Sequence, residues 1–271
     1  MKRLLPLALA AFASAALAAD AAANGLKRLY VLDCGRQLVK DQSRWTPGVN
    51  AGQPRWFSNN CYLIQHERGT LLWETGVPDS VAAAKDGLTV ANGAIVMFRD
   101  KTLIGQLADL GVKPDDLTYV ALSHAHGDHI GNAKLFAKPK ILMQKLEYEF
   151  AMKMIPKPLT DAQTVEKLEG DRDVFGDGSV TIYSAPGHTP GHQVLLVKLP
   201  KTGALVLSGD IVHFQYMWDN RIVPAFNFDK DQSRASIERV AKLLAEHKAR
   251  LWIGHDKDNT DKVERAPKYY E

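Results

Sequence analysis

Ser123-His124-Ala125-His126-Gly127-Asp128-His129 sets three imidazoles and a carboxylate within six residues, and few folds can use such a loop. It follows directly on Tyr119-Val120-Ala121-Leu122, a short apolar run that reads as a buried strand. The histidines therefore stand where a strand ends. In an extended turn His124 and His126 point the same way, whereas Asp128 and His129 swing toward a second point nearby. That spacing suits two metal ions better than one. A polar loop that merely happens to hold histidines is the plainer alternative.

The chain before this loop begins with Met1 to Ala23, which reads as an export signal. Lys2-Arg3 is basic, Leu4 to Leu17 is apolar, and Ala16-Leu17-Ala18 has the small-x-small form of a cleavage site. The run falls short of the roughly 20 apolar residues that span a bilayer, so no stable membrane insertion is expected after cleavage; an uncleaved anchor is the competing reading. A periplasmic or secreted protein with one domain over residues 24–271 is the expectation. Without Lys2 and Arg3 the chain carries 32 basic and 31 acidic residues. No basic run marks a nucleic-acid surface.

Leu29 to Asp33, Asn60 to Gln65 and Thr70 to Glu74 read as strands, the last two forming a hairpin. Cys34 ends the first and Cys61 begins the second, so a disulfide is open to them if these strands pair, as is simple burial. Between them Arg36 to Ser58 reads as a long excursion bearing Trp45, Trp56 and Phe57, which either cover a cleft or pack on the loop itself. A helix is expected over Thr102 to Leu110, ended by Gly111, with shorter ones near Asn132 to Phe136 and Leu146 to Lys153. Asp161 to Leu168 is ambiguous and open to a helix. Strands follow at Lys140 to Met143, Val180 to Ser184, His192 to Lys198, Ala204 to Ser208 and Arg250 to Ile253, with a helix over Gln232 to His247. Strands followed by helices in each half fit two sheets with helices outside. Turn-rich Pro186-Gly187-His188, Ser208-Gly209-Asp210 and Gly254-His255-Asp256 all follow strands.

The His-x-His-x-Asp-His loop resembles the signature of the metallo-β-lactamase superfamily, and the resemblance spans nearly all of residues 24–271. It implies an α/β fold, a four-layer αββα sandwich with metals at one edge. It also implies seven ligands: His124, His126 and His188 on one ion, Asp128, His129 and His255 on the other, and Asp210 bridging. Imidazole and carboxylate donors suit two divalent ions, zinc above all, with iron, cobalt and manganese open. Glu74-Thr75-Gly76 stands where the superfamily usually carries Asp-Thr-Gly. Glu74 then either supports the metal loop or is an ordinary solvated side chain.

An acid at Asp210 resembles the lactonase, glyoxalase II and phosphoesterase branches. Leu32-Asp33-Cys34-Gly35 and the seven ligands look most like the N-acyl homoserine lactonase group. That group often has Tyr three residues after the bridging acid; here the residue is His213, with Tyr216 three further on. The expectation is hydrolysis of a small lactone or ester by a bridging hydroxide, with Asp128 and His213 as catalytic residues. Trp45, Trp56, Phe57, Met217, Trp218, Phe226 and Phe228 are candidates for an acyl-chain pocket. His192 reads as a supporting residue, and His66 and His247 as solvated. Phosphotriester or β-lactam hydrolysis, an iron-dependent oxygenase, a non-catalytic metal-binding scaffold and a homodimer stay open.

Overall fold

Leu29 and Val31 face one side of strand β1 (Leu26–Val39) and Tyr30 and Leu32 the other, and all four are buried. A strand apolar on both faces needs cover on both. The computed structural model describes residues 25–271, so the expected export segment lies outside the described residues. Among these, eight strands form one mixed sheet: β1, β2 (Arg55–His66), β3 (Gly69–Trp73), β4 (Leu88–Val90), β5 (Ile95–Phe98), β6 (Tyr119–Ala121), β7 (Lys140–Gln144) and β8 (Val165–Leu168), in the order β4-β5-β1-β2-β3-β6-β7-β8. A five-stranded sheet follows, with β9 (Arg172–Asp173), β10 (Val180–Ser184), β11 (Gln193–Leu199), β12 (Gly203–Leu207) and β13 (Arg250–Trp252) in the order β13-β12-β11-β10-β9.

Between the sheets, Val31, Ile64 and Trp73 pack with Ile182, Leu195 and Leu207. Burial of each such side chain contributes roughly 1.5–3 kcal/mol. The outer face of the larger sheet is covered by α1 (Leu103–Asp109), through Leu103 and Leu107, beyond which come the single turn α2 (Gly127–Ile130) and α3 (Lys145–Ala151). The smaller sheet carries α4 (Gln215–Asp219) and α5 (Lys230–His247), which bury Met217, Ile237 and Val240. Asp229 starts α5 by accepting the backbone N–H groups of Asp231 and Gln232. The short α6 (Lys257–Thr260) follows β13. The result is the expected four-layer sandwich, and the helix ends agree with the periodicity to within two residues.

Two expectations fail. The excursion over Arg36 to Ser58 is mostly strand: β1 continues to Val39 and β2 begins at Arg55, pairing Arg36 with Ser58 and Val39 with Arg55. A register shift between Asp33 and Arg36 hides this continuity. Gly35 sits there at φ +110, where a Cβ would lie 2.8 Å from the Phe98 carbonyl oxygen, so its glycine marks a bulge rather than a strand end. Residues 161–168 are not helical either. They end in β8, an edge strand whose Val-Glu-Lys-Leu sequence is decided by parallel pairing with β7 rather than by propensity.

The irregularity at Cys34 also brings it to Cys61, and the two form a disulfide with a Cα–Cα separation of 5.6 Å. The link closes a sequence separation of 27 residues, for which loop-closure entropy gives about 3.5 kcal/mol. Changing both cysteines to alanine should therefore lower unfolding free energy by about that amount in a denaturant titration. An unchanged midpoint would show that the bridge adds no stability.

Candidate metal centre

Ser123 and His124 follow the end of β6 and are fully buried, and the chain then turns into α2 with His126 at its N-cap. One turn of helix is what separates the two donor directions: His124 and His126 precede it, Asp128 and His129 lie within it. His188 arrives on the loop after β10, Asp210 after β12, and His255 after β13. All seven expected residues converge, in the groups His124-His126-His188-Asp210 and Asp128-His129-His255. His213 adds a third grouping with Asp210 and His255.

Asp210 is the hinge between them. Its Oδ2 lies 3.7 Å from His124 Nε2, 3.4 Å from His188 Nε2 and 3.2 Å from His213 Nε2. Its Oδ1 lies 3.1 Å from His129 Nε2 and 3.2 Å from His255 Nε2, yet is buried without a hydrogen bond.

The imidazoles are oriented from behind. His255 Nδ1 contacts the Ser58 carbonyl at 2.7 Å, His188 Nδ1 contacts Asn227 Oδ1 at 3.1 Å, and His129 Nδ1 faces Glu74 Oε1 at 3.2 Å. A proton on each Nδ1 leaves each Nε2 as a lone pair. His129 Nε2 and His255 Nε2 then face one another at 3.3 Å, each also 3.3 Å from Asp128 Oδ2. Lone pairs and carboxylate oxygens turned toward one point call for a cation, and the donors fit a borderline divalent ion. The charge balance agrees. Burial opposes charge on His129 and His255, but the facing carboxylates outweigh it, raising His129 well above the ordinary range and His255 to about 10. Burial lowers His124, His126 and His188 and keeps them neutral. Protons on His129 and His255 thus stand where ions would supply positive charge.

His192 is not a donor to that point. Its Nε2 accepts the Asp210 backbone N–H at 2.8 Å, and its Nδ1 contacts the Ala185 carbonyl, so it supports Asp210 as expected. Glu74 is buried at a left-handed φ of 68, 3.3 Å from the Ser123 N–H. It therefore supports the histidine loop and is not a solvated side chain. His66 is a correction: it is buried, stacked on Phe175 with ring centroids 4.2 Å apart and paired with Asp177 at 2.8 Å. These partners lie more than a hundred residues away, which local sequence could not reveal. His247 is half-buried rather than solvated.

A cleft of about 450 Å³ opens above the metal-type residues, lined by His126, Asp128, His188, Asp210, His213 and His255 on its floor and by Trp45, Phe57, Val90, Ile95, Met97 and Phe226 on its walls. Only Trp45, Phe57 and Phe226 of the expected pocket aromatics line it. Trp56 packs on Phe98, Met217 is in the core, Trp218 lies under Arg221, and Phe228 and Tyr216 are exposed. Aromatic content alone does not separate wall from core.

One supporting residue has no sequence signal beyond being an acid in a helix. Glu147 of α3 is fully buried, and its oxygens accept the N–H of Ala125, between His124 and His126, and the N–H of Gly191, just after His188, each at 2.8 Å. Burial pushes its pKa up.

Residues 54–247 match the family model described as the metallo-beta-lactamase superfamily. An N-acyl homoserine lactonase of Bacillus sp is 31% identical over 255 residues, which is 90% of this chain and 99% of that protein. An N-acyl homoserine lactonase of Azorhizobium caulinodans is 31% identical over 78% of this chain and 86% of its own length. A solved structure of an N-acyl homoserine lactone hydrolase, with the product N-hexanoyl-L-homoserine at its catalytic metal center, superposes with a TM-score of 0.81. It is 28% identical and covers 90% of this chain and 99% of that one.

Proposed function

The chain belongs to the metallo-beta-lactamase superfamily, and on that premise we propose that this hydrolase opens the ring of N-acyl homoserine lactones or similar small lactones. The observation that carries the reading is Asp210, a buried carboxylate shared by two histidine groups under a cleft with apolar walls. His124, His126 and His188 would hold one divalent ion, Asp128, His129 and His255 a second, and Asp210 both. Such a pair, zinc by preference, supplies a water ionised near neutral pH and positive charge for the ester oxygens.

The chain's own residues do the rest. Asp210 and Asp128 are held as carboxylates, burial being outweighed by the surrounding imidazoles, so they neutralise the centre and keep its parts in register. Trp45, Phe57 and Phe226 exclude water and offer an apolar wall to an acyl chain. His213 lines the floor with its Nε2 3.2 Å from Asp210 Oδ2, so its imidazole stands where a substrate or leaving oxygen would lie and can bond it. His213→Ala should lower kcat by about 10²-fold with metal content unchanged. A loss under about threefold would mean that His213 only shapes the cleft.

The function is tested by a panel of N-acyl homoserine lactones, aryl esters, phosphotriesters and β-lactams on metal-replete enzyme. Lactones should show the highest kcat/KM by at least about tenfold; preference for a phosphotriester would overturn the assignment. Metal analysis of protein from its native host separates zinc from iron. The N-terminal basic and apolar run, together with a disulfide suited to an oxidising compartment, supports export. Intact mass of periplasmic protein should lack that run.

A further inference from the structure

We propose that Gln37 and Asn59 are positioning residues for Asp128, and that their side-chain amides set how tightly the Asp128-His129-His255 group binds its ion. This rests on the two-ion reading above and adds residues that no metal-ligand pattern contains. Gln37 comes from β1 just beyond the bulge and Asn59 from β2 opposite it, and both are buried. Gln37 Nε2 donates to Asp128 Oδ2 at 2.7 Å and to Asn59 Oδ1 at 3.0 Å. Asn59 Nδ2 donates to the same Asp128 Oδ2 at 3.1 Å and to the Asp128 backbone carbonyl at 3.2 Å.

Every hydrogen on the two amide nitrogens is thus directed at Asp128 or at the partner amide. The oxygen they hold is the one that lies 3.3 Å from His129 Nε2 and from His255 Nε2. Asp128 cannot turn that oxygen away from the histidines without breaking both amide bonds. Buried amides are costly unless hydrogen-bonded, and apart from each other these donors have only Asp128 to serve. The clamp is also local. The groups that steady only the other cluster are Asn227 and Glu147, neither of which touches Asp128, and Ser123, whose Oγ contacts both His124 and His129, does not touch Asp128 either. Removing the clamp should therefore weaken one ion and spare the other, since loss of a partner behind a ligand typically costs about 10–100-fold in affinity.

The experiment titrates metal-free full-length protein with zinc against a chromophoric chelator, alongside thermal melts of the same metal-free samples. Wild type should bind two ions. Gln37→Met and Asn59→Leu, which keep side-chain volume, should bind the first as wild type does and the second about 10–100-fold more weakly. Second-ion affinity within about threefold of wild type, or equal weakening of both ions, overturns the proposal. If either variant melts without a cooperative transition, Gln37→Ala, which only opens space toward the cleft, decides by the same criteria. A wild-type chain binding fewer than two ions overturns the two-ion reading itself, and the clamp with it.

Discussion

Asp210→Ala should reduce kcat by about 10³-fold or more and leave the purified chain with markedly less bound metal than wild type. Five imidazoles approach this one carboxylate, three at Oδ2 and two at Oδ1. Without it, no carboxylate among the described residues lies within 4 Å of imidazoles from both groups. The ions would lose a shared ligand and the negative charge that offsets their mutual repulsion. Several kcal/mol of charge stabilisation at such a centre convert to about three powers of ten in rate. The fold should survive, because Asp210 contributes no core packing and the Asp210 backbone N–H keeps its bond to His192. Steady-state kinetics with metal analysis and circular dichroism check the three parts. Turnover within about tenfold of wild type, with two ions retained, would remove Asp210 from the bridging role.

What the sequence made legible follows from where the information is local. His124, His126, Asp128 and His129 share one loop, and His188, Asp210 and His255 each follow a strand with turn residues beside them; these are short-range patterns. The layers were legible because apolar runs such as Leu29 to Leu32 and the spacing of Ile237 and Val240 are periodic. The second half of β1 and the first part of β2 were not, because Gly35 and the bulge interrupt the alternation where the ladder in fact continues. Gln37 and Asn59 were hidden with them: an amide in an apparent loop has no visible partner. His66 depends on Phe175 and Asp177, and Glu147 on two loops that meet only in the folded chain. Supporting residues are defined by tertiary contacts, so their types alone carry little signal.

Glu147 gives that statement a measurable form, since a residue without a sequence pattern should matter almost as much as a ligand. Glu147→Ala would leave the Ala125 and Gly191 N–H groups buried and unpaired, at about 1–3 kcal/mol each. With the cavity left by the shortened side chain, a loss of roughly 3–5 kcal/mol is expected. For a chain of this size that lowers Tm by about 10 °C. The same two bonds join the loop of His124 and His126 to the loop of His188, so their loss should also loosen the ion held by those three histidines. Affinity there should fall by about 10–100-fold, the converse of the pattern expected for Gln37 and Asn59. Glu147→Gln keeps one oxygen to accept an N–H but turns an amino group toward the other, so it should fall between wild type and Glu147→Ala in both measurements. Differential scanning calorimetry and zinc competition on the same preparations would decide it. If Glu147→Ala melts with wild type and both ions bind unchanged, the loops are held by their own turn geometry, and the carboxylate is a bystander.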